Sequence, residues 1–157
     1  MKITIILNGK TEDHYLMNGI ELYENRLKHY VSLDTVVIPA LKNTQALSIE
    51  QQKQKEGDLI LKNIQSSDKL ILLDENGKEY SSVAFSGFIQ QQMNSGIKNL
   101  VFAVGGPYGF SEQIYKRANG KVSLSKMTFS HQMVRLFFVE QLYRAMTILK
   151  NEPYHHQ

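Results

Sequence analysis

The sequence of 157 residues contains no cysteine and no tryptophan, and it has only three prolines. The missing cysteine excludes disulfide bonds, iron–sulfur clusters, cysteine-based zinc sites and a cysteine nucleophile. No apolar run approaches the roughly 20 residues that span a bilayer. The first apolar run, from Met1 to Leu7, ends at Asn8 and Gly9 and is too short for the core of a signal peptide. We therefore expect a cytoplasmic protein with no membrane partner.

Charge of either sign is moderate, but the basic residues are unevenly distributed. The net charge of +3 is too small to predict a nucleic-acid partner by itself. Residues 1–100 carry 11 Lys and Arg against 12 Asp and Glu, whereas residues 101–157 carry 7 against 3. The basic surplus of the C-terminal third indicates either chance or a surface for a polyanion. The share of hydrophobic residues, 42%, is typical of a globular protein, and the length predicts one domain over residues 1–157.

Short β-rich runs alternate with segments of helical periodicity along the whole chain. This alternation predicts an α/β fold, with a parallel sheet covered by helices. The unbroken apolar run from Leu100 to Val104 is typical of a strand buried on both faces. Strands are predicted at 2–7, 33–38, 69–74, 100–104 and 122–124, with a turn at 75–77 after the third. Helices are predicted at 13–30, 49–65, from Ser81 or Ser82 to 93, after Ser111, and at 130–150.

A glycine-rich segment, Gly105-Gly-Pro-Tyr-Gly109, directly follows the fourth predicted strand. Ligands of parallel α/β sheets bind at the carboxyl ends of the strands, and glycine lets a ligand approach the backbone closely. The segment matches neither the P-loop nor the dinucleotide-binding fingerprint. A tight turn would also explain the glycines, so the pattern leaves both a ligand-binding loop and a structural turn open.

The last predicted helix is apolar on nearly every side, which predicts burial on several sides, including against a partner subunit. Its few polar residues are paired four apart, and the Glu140–Arg144 spacing predicts a structural ion pair. The other pair, His131 and Arg135, indicates either a functional face or a solvated helix end. Before this helix, the hydroxyl-rich residues 122–131 are able to offer backbone groups to a heterocycle, or simply to cap the helix at Ser130.

Seven segments occur in an order and spacing that resemble one known family. They are Leu73-Asp-Glu-Asn-Gly77-Lys78, Ser81-Ser82, Gly105 to Gly109, Leu124-Ser-Lys-Met-Thr128, His131-Gln132 with Arg135, Glu140-Gln-Leu-Tyr-Arg144-Ala145, and Pro153-Tyr154-His155. No single segment is decisive, but together they span the whole chain. The sequence therefore resembles the ribosomal RNA large subunit methyltransferase H family, of the SPOUT (α/β-knot) class.

This resemblance implies an α/β fold with a C-terminal trefoil knot, a homodimer, S-adenosylmethionine as methyl donor and no metal. The implied reaction is methylation of N3 of a pseudouridine in large-subunit (23S) ribosomal RNA on the assembled ribosome. The cofactor would be held by Leu73, Gly105, Gly106, Leu124, Ser125, Lys126, Met127, Thr128 and Phe129. The catalytic, RNA-facing positions would be His131, Arg135, Arg144, Tyr154 and His155.

Methyl transfer from a sulfonium is an in-line displacement, so positioning supplies much of the rate. The N3 proton must leave the base, and His131 or His155 is able to accept it. Arg135 or Arg144 would stabilise the resulting anion or hold phosphate. We hypothesise that the C-terminal tail, from the partner subunit, completes the site.

Two departures from the family pattern accompany this prediction. Ser130 stands where the family has proline, and Asn151 stands where it has glycine, while the chain ends in His156-Gln157 without a fixed positive charge. Serine is compatible with helix capping, whereas the missing charge bears on the phosphate contact of the tail. Two other functions stay open: a non-catalytic nucleotide-binding α/β module and a ribosome-associated factor without catalysis.

Overall fold

The structure is a computed structural model that describes residues 1–156, in which five strands and five α-helices follow one another. The strands are β1 (Lys2–Asn8), β2 (Ser32–Ile38), β3 (Lys69–Glu79), β4 (Asn99–Val104) and β5 (Gly120–Ser123). The helices are α1 (His14–Leu27), α2 (Ile49–Lys62), α3 (Ser82–Asn94), α4 (Glu112–Arg117) and α5 (Met133–Leu149), with a short 3-10 turn at Thr44–Ala46.

The strands form one sheet in the order β2-β1-β4-β3-β5, and every neighbouring pair is parallel. Helices α1, α3 and α5 supply the apolar cluster on one face, whereas α2 and α4 supply the cluster on the other. Phe102 of β4 packs on Phe138 of α5 with ring centroids 4.8 Å apart, while Val101 and Ala103 face the opposite layer. The predicted α/β fold and the two-sided burial of β4 are thus confirmed.

The third strand is longer than the sequence predicts, because the turn signal at 75–77 does not end it. Leu73 and Lys78 both pair with Val122 of β5, so residues 74–77 bulge out of the ladder and the strand resumes. Gly77 folds back onto the backbone of β5: a Cβ there would lie 2.7 Å from the nitrogen of Val122. The turn residues form a bulge. This bulge places residues 74–76 at the rim of the sheet.

A serine caps the start of three helices: Ser48 for α2, Ser81 for α3 and Ser111 for α4. The short side chain of serine accepts an N–H group that has no partner within the helix. Ser81 and Ser111 accept the N–H groups of Ala84 and Ile114, which confirms both predicted caps. Ser130 was predicted to begin the last helix, but α5 begins at Met133. The Ser130 hydroxyl accepts the N–H groups of Gln132 and Met133 at 3.2 and 3.4 Å, so it organises the turn ahead of the helix.

The end of α5 explains the asparagine at position 151. Asn151 has φ of 56°, in the left-handed region that glycine adopts without cost and that asparagine tolerates best among the other residues. The N–H of Glu152 donates to the carbonyl of Thr147, and that of Asn151 donates to Ile148, which is the Schellman pattern. Asn151 therefore preserves the reversal that sends the tail back along the helix.

Candidate functional site

A cavity of about 530 Å³ opens at the carboxyl ends of β3, β4 and β5. This is the end of a parallel sheet where ligands bind, and the volume is within the usual range for small-molecule sites. Two loops, 105–110 after β4 and 124–130 after β5, supply most of the wall. The rest comes from residues 73–76 of β3, the ends of β4 and β5, Tyr115 of α4, His131 just before α5 and Val134 in its first turn.

Most of the residues predicted to hold a cofactor meet at this cavity. Lys126 is the exception: its side chain is 86% exposed, and its Nζ lies 3.8 Å from a carboxylate oxygen of Glu79. The lysine therefore points away from the cavity although its neighbours in sequence line it. The predicted residues that line it are Leu73, Gly105, Gly106, Leu124, Ser125, Met127, Thr128 and Phe129.

The glycine segment forms a tight turn and also part of the cavity wall. The N–H of Gly109 donates to the carbonyl of Gly106 at 3.1 Å, and Gly109 has φ of 80°. A Cβ at Gly105 would lie 3.2 Å from the ring of Phe110. A Cβ at Gly106 would lie 3.1 Å from Glu56, so the loop passes close to other groups on its outer side as well.

Acidic and hydroxyl groups dominate the polar part of the cavity. Within residues 1–156, Asp74 and Glu75 line it and no lysine or arginine does. The Tyr115 hydroxyl donates to Asp74, and the Thr128 hydroxyl donates to Glu75 at 2.9 Å. Burial and then the bond to Asp74 raise the pKa of Tyr115 to about 12, so this hydroxyl keeps its proton. The cavity is therefore electrostatically suited to a ligand that carries positive charge.

His131 and Arg135 share a helical face in the sequence, but they have different surroundings. His131 lines the cavity. Arg135 is only 3% exposed and donates to the backbone carbonyls of Asn8 and Gly9 at 2.7 and 2.9 Å, and to the Thr11 hydroxyl. A solvated helix end is therefore wrong for Arg135, whose pKa is lowered by burial. Its guanidinium fastens the start of α5 to the loop after β1.

A second cluster of polar residues lies near the end of α5, outside the cavity lining. The predicted Glu140–Arg144 ion pair is confirmed, with 2.6 Å between Oε1 and Nη2. The Tyr154 hydroxyl donates to the same Oε1 at 2.9 Å, and Arg144 Nη1 lies 3.1 Å from Nδ1 of His155. The structure thus separates the predicted catalytic residues: His131 lies at the cavity, whereas Arg144, Tyr154 and His155 gather at the tail.

Comparison with known proteins agrees with the family resemblance of the sequence segments and extends over the whole chain. A family model described as "Predicted SPOUT methyltransferase" matches residues 1–155. Proteins named ribosomal RNA large subunit methyltransferase H from Flavobacterium johnsoniae, Christiangramia forsetii and Bacteroides thetaiotaomicron are 62%, 60% and 54% identical over 157 residues, which is all of both chains in each case. The chain belongs to the ribosomal RNA large subunit methyltransferase H family.

Other groups at the cavity or directly behind its wall carry no sequence signal in this methyltransferase H family member. Tyr115 and Val134 lie inside predicted helices, and only the tertiary fold turns them toward the cavity. Glu56 lies behind Gly106, accepts a hydrogen bond from Asn8 Nδ2 at 3.1 Å, and has a pKa raised by burial. Glu56 is one of several charged residues in α2, so the sequence does not predict that its side chain lies behind Gly106.

Over residues 1–156, no three side chains of His, Cys, Asp or Glu come together in a way that would hold a metal ion. Over the same residues, no helix combines the length and the apolar character that crossing a membrane requires.

Proposed function

We propose that this protein is an S-adenosylmethionine-dependent methyltransferase that methylates N3 of a pseudouridine in 23S ribosomal RNA on the assembled ribosome, in the cytoplasm. The observation that carries the proposal is the cavity at the carboxyl ends of β3 to β5. Four of the seven segments that carry the family resemblance contribute to its lining: 73–78, 105–109, 124–128 and His131. The names of the relatives support the ribosomal substrate, because their identity to this chain extends over its full length.

The residues present fit S-adenosylmethionine. Apolar side chains such as Leu73 and Leu124 offer a flat contact for an adenine ring, and the backbone of loop 124–130 offers hydrogen bonds to its edge. Asp74 and Glu75 supply negative charge in a wall without lysine or arginine among residues 1–156, which suits a sulfonium and an amino group. When bound, the cofactor supplies an electrophilic methyl group.

His131 is the group in this chain best placed to take the N3 proton of the base. It lines the cavity directly before α5, and an imidazole nitrogen is a common proton acceptor. Arg135 acts through position instead, since its guanidinium is committed to the carbonyls of Asn8 and Gly9. We assign to it the task of holding the first turn of α5, and therefore His131, in place.

We further propose that the protein works as a homodimer in which the tail of one subunit completes the cavity of the other. Met133 and Phe137, on α5 beside the cavity, are 38% and 40% exposed, and the Phe137 ring lies 5.1 Å from that of Phe129. An apolar surface of this kind next to a site is typical of a protein interface. Arg144 and His155 do not line the cavity of their own chain. In the dimer, the tail brings them to the cavity of the second copy.

The trefoil knot belongs to the same proposal. Residues 124–132 leave β5 at the edge of the sheet and reach β1 in its interior, passing the ends of β3 and β4. At the far side of this crossing, Gln132 Oε1 accepts the N–H of Glu12 at 2.9 Å. A crossing of this length over other strands supports a threaded path, because ordinary connections join neighbouring elements.

Removal of residues 153–157 tests the composite site. We expect the truncated protein to lose methylation of the ribosome and to retain binding of S-adenosylmethionine, because the tail lies outside the cavity lining. Methylation is measured by nucleoside mass spectrometry after incubation with ribosomes from a strain lacking the gene, and binding by calorimetry. Unchanged turnover by the truncated protein would contradict a catalytic role of the tail.

The same measurements separate the other two functions. Persistence of N3-methylated pseudouridine in the deletion strain would assign the modification to another enzyme and favour a ribosome-associated factor. Calorimetric binding of other nucleotides in preference to S-adenosylmethionine would favour a nucleotide-binding module. For the proposed function, we expect the modification to vanish in the deletion strain and to return when the purified protein and S-adenosylmethionine are added to its ribosomes.

A further inference from the structure

Four tyrosines from distant parts of the chain meet around the C-terminal tail. Tyr23 lies on α1, Tyr30 in the loop that follows it, Tyr143 on α5, and Tyr154 in the tail. The rings of Tyr23 and Tyr30 each lie within 6 Å of the ring of Tyr143, at 5.8 and 5.9 Å, and the Tyr154 ring lies 4.7 Å from it. We call the first three residues, Tyr23, Tyr30 and Tyr143, the tyrosine clamp.

The clamp binds the tail through hydroxyl groups as well as through rings. Tyr30 donates to Oε2 of Glu152 at 2.5 Å, and the hydroxyl oxygens of Tyr23 and Tyr154 are 3.3 Å apart. Both bonds join residues more than 120 positions apart in sequence. The tail downstream of Asn151 has no helix or strand to hold it, so these contacts determine much of its place.

The direction of the hydrogen bonds follows from the single proton of each hydroxyl. Tyr154 donates to Glu140, whose carboxylate oxygen has no proton to offer, so the Tyr154 proton is already committed. Tyr23 must then be the donor to Tyr154. The result is an ordered relay, Tyr23 to Tyr154 to Glu140, in which the tail tyrosine both accepts and donates. Tyr154 is therefore a neutral, fixed hydroxyl and is unsuited to the role of proton acceptor.

We propose that Tyr23 and Tyr30 are positioning residues, which hold the C-terminal tail in the orientation that methyl transfer requires. The proposal rests on the proposed function, since it assigns the tail its catalytic place. Neither residue lines the cavity, so their effect passes through residues 152–155. In the proposed dimer, the tail of one protomer reaches the cavity of its partner. Helix α1 of the first protomer then orients that tail.

The test removes only the two hydroxyl groups, in Tyr23→Phe, Tyr30→Phe and the double variant, and keeps the rings that pack on Tyr143. Each hydroxyl contributes one hydrogen bond, so we expect kcat on ribosomes to fall about fivefold for each single variant and about 20-fold for both. The affinity for S-adenosylmethionine, measured by calorimetry, should stay unchanged. Amide hydrogen exchange of residues 151–156 should speed up, while exchange in β4 should not.

Tyr15→Phe is the matched control, because Tyr15 is on the same helix, is 64% exposed and makes no side-chain hydrogen bond within residues 1–156. It should leave both kcat and tail exchange at the wild-type values. If the tail amides of the double variant exchange at the wild-type rate, the proposal is overturned. Faster exchange with unchanged kcat would overturn it as well. If the wild-type protein itself fails to methylate ribosomes, the proposed function fails, and the exchange data still decide whether the hydroxyls hold the tail.

Discussion

A single methyl group at Gly77 should disturb both the sheet and the cavity beside it. In Gly77→Ala the new Cβ would lie 2.7 Å from the nitrogen and from the carbonyl carbon of Val122. Both contacts are with backbone, which cannot rotate away as a side chain would. The bulge of β3 and the strand β5 must therefore separate by several tenths of an ångström.

The size of the effect follows from this forced separation. Inserting a methyl group into a tightly packed site costs about 1–3 kcal/mol of unfolding free energy. For a domain of this size, each kcal/mol corresponds to a fall of about 2–4 °C in melting temperature. Because Val122 and Leu124 line the cavity, we also expect binding of S-adenosylmethionine to weaken about tenfold, equivalent to about 1.4 kcal/mol.

Thermal unfolding and calorimetric titration measure the two effects, with Gly87→Ala as the control. Gly87 lies inside α3, and a Cβ there would meet nothing within 4 Å. Alanine in a helix interior should be neutral or stabilising by up to about 1 kcal/mol. If Gly77→Ala melts and binds the cofactor like the wild type while Gly87→Ala behaves as expected, the assignment of a backbone contact at Gly77 is refuted.

Two further predictions concern the end of α5 and the cavity wall. Asn151→Ala should destabilise the protein by about 1 kcal/mol, because alanine lacks the tolerance of asparagine for φ of 56°, whereas Asn151→Gly should retain full stability in a denaturant titration. The raised pKa of Tyr115, about 12, stabilises the fold below pH 10, and this contribution is lost as pH rises toward 12. Wild-type protein should therefore lose more unfolding free energy between pH 10 and pH 12 than Tyr115→Phe does; equal losses would contradict this.

The local features of the chain were predictable because they depend on neighbours in sequence. The caps at Ser81 and Ser111 and the Glu140–Arg144 pair each join residues three or four apart, so spacing alone indicates them. The apolar run of β4 likewise predicted a strand covered on both sides, since its composition leaves no polar face. Family resemblance extended this to the loops that line the cavity.

Only the tertiary structure decided which of the predicted site residues lie together and which lie apart. Arg135 has the same spacing from His131 as Arg144 has from Glu140, yet its partners are the carbonyls of Asn8 and Gly9. Nothing near Arg135 in the sequence predicts these partners, because Asn8 and Gly9 lie 127 and 126 positions away. The bulge at Gly77 also depends on a distant strand, β5, which overrides a local turn signal.

The sequence by itself therefore determined the layers of the fold and indicated loops that line the cavity. The path of the chain decided which of those segments meet: the loops after β4 and β5 at one cavity, and the tail at the tyrosine clamp. The physical reason is that helical and strand periodicity arises from neighbouring residues, whereas a binding site is assembled by contacts between residues far apart along the chain.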